Sequence, residues 1–80
     1  MKQWIINYHD TGDMITYLNG KVHSRNDAPA IVSNNGYSMW FEEGLLHREG
    51  QPAVICYSSG LKEWWMRGVK VGSNAEKLFV

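Results

Sequence analysis

Short runs of apolar or alternating residues follow one another along this chain, and turn sequences with glycine separate many of them. Residues 53–57 read AVICY and residues 61–66 read LKEWWM, with Ser58-Ser59-Gly60 between them. Two such runs joined by a turn predict a β-hairpin, because glycine adopts the positive φ that tight turns need. No stretch shows a sustained helical period. The pattern therefore predicts an all-β chain with an antiparallel sheet.

The hairpin pattern recurs with a period of 24 residues. A fixed period of this size is typical of an array in which each unit buries its apolar face against the next. We predict a single domain over residues 1–80, an antiparallel β-meander of about three 24-residue hairpin repeats with about six or seven short strands. The aligned positions are Gly12, Gly36 and Gly60; Gly20, Gly44 and Gly68; Tyr17, Phe41 and Trp65; Trp40 and Trp64; and His23, His47 and Val71.

The repeated residues resemble a known family. The pattern aromatic-x-x-Gly-x-x-His, in Tyr17-Gly20-His23 and Phe41-Gly44-His47, resembles the MORN repeat. The longer string WFEEGLLHREGQPA, from Trp40 to Ala53, resembles a MORN-related variant of phage and large-virus proteins and of proteins similar to antitoxins. The resemblance covers residues 13–72 and implies a β-repeat that acts as a scaffold or binding surface. The third unit has Val71 at the histidine position, and we interpret it as a terminal unit.

The C-terminal residues carry one helical signal. Ser73 and Glu76 have the spacing of a capping box, which predicts a short helix that begins there. Leu78 and Phe79 would then cover the end of the sheet as a C-terminal helical cap, which repeat arrays need.

Alternation along the strands places aromatic residues on both faces of the predicted sheet. Tyr17, Phe41 and Trp65 form one column, which we expect on the core side. Trp40 and Trp64 form a second column on the other face. An exposed aromatic patch usually marks a protein interface, whereas cover from the return segments or the tail would give both tryptophans a structural role.

Arg25 and Arg48 follow the two histidines at matching positions. They either form salt bridges with Asp27 or Glu49 in a solvated turn, or they form a row of contacts for an acidic partner. The candidate partner-binding residues are therefore Trp40, Trp64, Arg25 and Arg48.

The first strand offers a second kind of contact. Residues 1–8 read MKQWIINY, and Trp4, Ile6 and Tyr8 would share one face. An edge strand without proline or an inward charge is open to pairing with another chain. A homodimer through Trp4–Tyr8 is therefore possible, and the alternative is a free edge in contact with water.

Metal binding and catalysis find little support in the residues. His23 and His47 would lie about 10 Å apart on a sheet with two strands per repeat, too far to share one zinc ion bonded at about 2 Å. We expect each histidine to hydrogen-bond a neighbouring turn instead. Cys56 is expected to be a buried, unreactive thiol. No catalytic constellation is present, so we predict a protein without enzyme activity, metal or cofactor.

Composition narrows the partner class. Eight basic residues balance eight acidic ones, so the basic surface of a nucleic-acid binder is missing. The chain shows no signal-peptide pattern and no run long enough to cross a membrane. A single cysteine excludes an intramolecular disulfide and fits a reducing cytoplasm.

We therefore expect a cytoplasmic protein-binding module. The resemblance suggests a small phage-type inhibitor that covers a surface of a bacterial host or defence protein, for example of a CRISPR–Cas complex. The alternatives are a structural protein that acts through homo-oligomerisation, and a single-stranded nucleic-acid binder that stacks bases on tryptophan.

Overall fold

The strands follow the hairpin pattern of the sequence closely. The structure, a computed structural model, describes residues 2–75 and confirms an all-β antiparallel fold. The described residues form ten strands instead of six or seven, because the chain leaves the main sheet at Trp40 and forms a further hairpin. The strands are β1 (Trp4–Tyr8), β2 (Met14–Leu18), β3 (Lys21–Val22), β4 (Ile31–Val32), β5 (Tyr37–Met39), β6 (Phe41–Glu42), β7 (Leu45–Leu46), β8 (Val54–Cys56), β9 (Leu61–Met66) and β10 (Val69–Ser73).

One antiparallel sheet contains most of the strands. Its order is β1-β2-β4-β5-β8-β9-β10; β3 pairs with β2, and β6 and β7 form a separate two-stranded sheet. The molecule measures 47 × 28 × 16 Å. The smallest dimension fits a single layer with its side chains, since two stacked sheets lie about 10 Å apart before their outer side chains are counted. The edges of the main sheet are β10 and, as predicted, β1.

Three of the hairpins turn in the same way. Each tip has two consecutive residues with positive φ, which defines a type I′ turn and matches the twist of the flanking strands. Glycine occupies the second position of each turn, where a side chain would be strained. The pairs are Asn19 (51°) with Gly20 (83°), Glu43 (51°) with Gly44 (82°), and Arg67 (49°) with Gly68 (82°).

Each of the later two tips docks on the hairpin before it. The Gly44 N–H donates to the Val22 carbonyl at 2.9 Å, and the Gly68 N–H donates to the Leu46 carbonyl at 2.8 Å. The same hydrogen bond thus recurs 24 residues further along the chain. This bond joins the short hairpins β2–β3, β6–β7 and β9–β10 to one another.

The largest buried side chain lies between small neighbours. Trp40 is 5% exposed, and the fully buried Ala30 and Ala53 flank it on adjacent strands. The Trp40 N–H donates to the Ala53 carbonyl at 2.8 Å. The row continues to Thr16 beyond Ala30 and to Trp64 beyond Ala53. An indole ring fits a single-layer sheet only where its cross-strand neighbours leave room, because protein interiors are close-packed.

The buried tryptophan lies on the face opposite to the expected core side. Tyr17, Phe41 and Trp65 are only half-buried, so the expectation that they line the core is wrong. The face of Trp40 is covered instead, because the return segments 23–29 and 47–52 cross it and contact the indole. The Tyr17 face contributes Val54 and Cys56 to the buried residues.

The predicted C-terminal helical cap finds no support. Residues 2–75 contain no helix, and Ser73 is the last residue of strand β10. Glu76, Leu78 and Phe79 lie outside the described residues.

Candidate protein-binding surface

Arg48 joins the two return segments around Trp40. Its Nε and Nη2 donate to the two carboxylate oxygens of Asp27, each at 3.1 Å, and its Nη1 donates to the Pro52 carbonyl at 3.1 Å. The guanidinium carbon lies 3.8 Å from the centre of the Trp40 ring. The indole Nε1 completes the cluster by donating to the Asp27 carbonyl at 2.9 Å. A planar guanidinium can stack on an aromatic ring and bind a carboxylate at two points at once.

Asp27 contributes to this cluster from a tight loop. Asn26 and Asp27 both have positive φ, at 54° and 61°. Asparagine and aspartate tolerate this region better than most residues. Hydrogen bonds from Arg48 lower the pKa of the Asp27 carboxyl, its positive charge acts in the same direction, and desolvation opposes both. The Asp27 side chain is nevertheless 68% exposed, so water screens the pair.

The cluster answers two of the sequence predictions. The expected exposure of Trp40 is wrong, because the indole is covered by the return segments and is 5% exposed. The salt bridge between Arg48 and Asp27 is confirmed. The Arg48 side chain is only 15% exposed, and its hydrogen bonds are made within the chain. Trp40 and Arg48 therefore meet, but they meet as structural residues.

The other two candidate residues lie apart from this cluster. Arg25 is exposed, and its guanidinium carbon lies 5.1 Å from the ring centre of Trp4 in β1. Trp64 is half-buried in β9. Gly72 lies beside it, where an added Cβ would be 3.7 Å from the Trp64 ring. The four predicted residues thus do not form one surface.

Both repeat histidines bind the next hairpin, as predicted. His23 Nδ1 accepts the Glu43 N–H at 3.1 Å, and His47 Nδ1 accepts the Arg67 N–H at 3.0 Å. Glu43 and Arg67 are the first residues of the type I′ turns. Because Nδ1 accepts in each case, the proton of the neutral ring lies on Nε2. Each histidine is therefore a hydrogen-bond acceptor that receives the following hairpin tip.

Carboxylates surround the second histidine. His47 Nε2 lies 3.4 Å from Glu42 Oε2 and 3.8 Å from Glu49 Oε1. These three residues line a surface depression of about 290 Å³ beside Arg48. Within residues 2–75, no group of three or more histidine, cysteine, aspartate or glutamate side chains has an arrangement that could bind a metal ion. The same part of the chain contains no helix that is long and apolar enough to cross a membrane.

Cys56 is buried, as predicted, at 3% exposure. Its Sγ lies 3.2 Å from the Ser58 hydroxyl oxygen. Hydrogen bonds from Ser58 and then Ser59 lower the pKa of the thiol to about 7, against the opposing effect of burial. Low accessibility therefore limits a thiol whose proton is comparatively acidic.

An exposed apolar patch occurs at the far end of the array, where the sequence predictions place no contact residue. We name Leu45, Met66 and Val69 the corner patch; they are 49%, 39% and 63% exposed. Met66 and Val69 are register partners in β9 and β10, and the Leu45 side chain lies 3.4 Å from where a Cβ on Gly68 would be. The three residues are thus contiguous.

Charged residues of both signs border the corner patch. Glu42, Glu43, Leu45, His47 and Arg67 line a second depression of about 290 Å³. The departure of the third unit from the motif is the signal that could have revealed this surface. Val71 replaces the histidine that would receive a further hairpin, so the apolar residues of the third hairpin stay uncovered within the described part of the chain.

Comparisons with known proteins give no identification, since no family model, no curated protein and no solved structure matches this chain. The function is therefore argued from the surface of the molecule.

Proposed function

We propose that this chain is a non-enzymatic protein-binding module built from three MORN-like units of 24 residues. We further propose that it acts as a small phage-type inhibitor that binds and blocks a bacterial host or defence protein. The observation that carries the binding proposal is the corner patch, whose three adjacent apolar side chains are each more than one-third exposed.

The corner patch has the composition of an interface centre. Protein interfaces place apolar anchors at the middle and polar or charged residues around them. Leu45, Met66 and Val69 provide the apolar part, and Glu43 and Arg67 lie at its border. Burying the exposed part of each apolar side chain would contribute roughly 1 kcal/mol. The partner expected from this arrangement is a protein with a protruding apolar side chain between residues of opposite charge.

The MORN-like assignment has support from the roles of the motif residues. The motif glycines Gly44 and Gly68 form the hairpin tips, and the motif histidines His23 and His47 accept a backbone N–H from the following tip. The residues of the motif are thus those that stack one unit on the next. The inhibitor role rests on the resemblance of residues 40–53 to the phage-type variant.

A matched pair of surface variants tests the binding proposal. Val69→Lys places a charge in the corner patch, whereas Tyr57→Lys places it at a similarly exposed apolar residue outside the patch (63% and 69% exposed). A protein captured from a bacterial lysate is purified and titrated against all three chains by calorimetry. We expect Val69→Lys to weaken binding at least tenfold and Tyr57→Lys to leave it unchanged. Equal affinity for all three chains would place the binding surface elsewhere.

A plating experiment tests the inhibitor role separately. The chain is expressed in bacteria with an active CRISPR–Cas system that targets a challenge phage. We expect more plaques with the parent chain than with Val69→Lys, and no difference in a host without the system. Equal plaque counts with and without the chain would contradict inhibition of that system and leave the calorimetric result to stand on its own.

A further inference from the structure

Strand β1 has a free row of backbone groups at the edge of the main sheet. Toward β2, the Gln3 carbonyl accepts the Asn19 N–H at 2.9 Å, and the His9 N–H donates to the Asp13 carbonyl at 2.8 Å. Paired and unpaired residues alternate along an antiparallel ladder. Residues 3, 5, 7 and 9 therefore direct their backbone groups to β2. The residues whose N–H and C=O groups point away from it are Trp4, Ile6 and Tyr8.

The two edges of the sheet differ in their protection. Strand β10 contains a register shift between Lys70 and Gly72, and a bulge and a lysine both discourage edge pairing. Strand β1 has five residues in unbroken register with β2 and contains no charged residue and no proline. Its exposed apolar side chains are Ile5 (45%), Ile6 (46%) and Tyr8 (77%). The unprotected edge is thus β1.

We propose that a second copy of this chain pairs antiparallel with β1, with the two Ile6 residues on the two-fold axis. This register uses the outward backbone groups of all three residues, because Trp4 then faces Tyr8 of the second copy. A two-fold contact must be self-complementary, and this one repeats the aromatic pair on both sides of the axis. The proposal goes beyond the binding function, since it uses a different surface, the edge opposite to β10.

Charge complementarity supports the same register. Continuing the pairing beyond the strand brings Lys2 opposite Asp10 of the second copy, once on each side of the axis. Both side chains are exposed, and opposite charges on facing strands stabilise a pair, whereas like charges destabilise it. The register places no two like charges opposite each other.

The side-chain row of this edge borders a groove. Trp4, Ile6 and Tyr8 lie on the same face as Thr16, and a groove of about 360 Å³ runs between Trp4, Ile6 and the loop residues up to Pro29. Tyr8 of the second copy, opposite Trp4, would lie at the mouth of this groove. Tyrosine is suited to this position, because its ring packs on apolar surface while its hydroxyl stays in water.

A matched pair of lysine variants tests the contact. Sedimentation of the full chain is followed from about 1 µM to 1 mM, the range in which weak dimers dissociate. Ile6→Lys places two lysines together on the axis. Ile5→Lys places an equally exposed lysine on the other face, opposite Asn7 of the second copy and away from the axis. We expect a concentration-dependent dimer for the parent and Ile5→Lys, and a dimer weakened at least tenfold for Ile6→Lys.

The register is tested by exchanging the charges. Lys2→Glu and Asp10→Lys should each weaken the dimer, and the double variant Lys2→Glu/Asp10→Lys should restore it. Failure of the double variant to restore the dimer would overturn the register. A parent chain that stays monomeric at all concentrations would overturn the proposal, as would a dimer that Ile6→Lys leaves intact in a folded chain. Val69→Lys should dimerise like the parent, so a failure here is distinguishable from a failure of the binding function.

Discussion

At the scale of single residues, Arg48 has the densest set of contacts in the molecule's best-packed region. It makes two hydrogen bonds to Asp27, one to Pro52 and a stacking contact with Trp40. The sequence alone could indicate the salt bridge, because Asp27 and Arg48 recur near matching places. It could not indicate the burial of Trp40, because this depends on the path of loop 24–29, where Asn26 and Asp27 take positive φ.

The first prediction compares the two equivalent arginines. Arg48→Ala should lower the free energy of unfolding by about 2–3 kcal/mol, because it removes charge-assisted hydrogen bonds and the stacked cation. Arg25→Ala should change it by less than about 0.5 kcal/mol, because exposed side chains away from a network contribute little. Arg25 contacts only one ring, at 5.1 Å. Urea unfolding followed by tryptophan fluorescence measures both, and equal losses would show that the cluster around Trp40 is not special.

The second prediction concerns acid. The folded chain binds the Asp27 proton less tightly than the unfolded chain, because Arg48 lowers the pKa of this carboxyl. The stabilisation is therefore complete above the ordinary aspartate pKa of about 3.9 and is lost as the pH falls through the lower folded value. Asp27→Asn lacks this ionisation. The stability difference between parent and variant should be constant from pH 7 to about pH 5 and vanish below about pH 3. A difference that persists unchanged at low pH would contradict the ionic role of Asp27.

At the scale of elements, the hairpins are joined to one another through their tips. The strand pattern predicts β2 and β9 with their bounds, Met14–Leu18 and Leu61–Met66, because alternation and glycine turns are local signals. The long predicted strand 37–41 is divided between β5 and β6 at Trp40. Local alternation cannot show this division, since it arises when the Ser24 N–H and hydroxyl bind the Phe41 backbone from a distant loop.

The third prediction tests the histidine contacts between hairpins. His47→Leu leaves the part-buried Arg67 N–H without an acceptor, which should cost about 1–3 kcal/mol. His23→Leu removes the equivalent but exposed bond to Glu43 and should cost less, since water replaces the acceptor. Amide exchange by NMR should show that the Arg67 amide exchanges faster in His47→Leu and the Glu43 amide in His23→Leu. Unchanged exchange at these amides would mean that the histidines do not bind the tips.

At the scale of the whole molecule, a single layer of strands has no core separate from its faces. The buried residues Ala30, Trp40, Ala53, Val54 and Cys56 lie in or beside the central strands. The edge strand β1 and the edge strand β10 carry mainly exposed side chains. Such a sheet opens more readily at its ends than at its centre, because local stability follows the density of buried contacts. The same ends carry the two surfaces proposed for association.

The last prediction uses this gradient. Amide exchange of the dilute chain should be slowest at Trp40 and Ala53, whose N–H groups donate to neighbouring strands at 2.8 Å beside the buried indole. The outward amide of Ile6 should exchange without protection, since it has no acceptor in the single chain. Raising the chain concentration should slow exchange at Ile6 and leave Trp40 unchanged, because only the edge gains hydrogen bonds from a second copy. Slow exchange at Ile6 in the dilute chain would contradict the free edge, and an Ile6 rate independent of concentration would contradict pairing along β1.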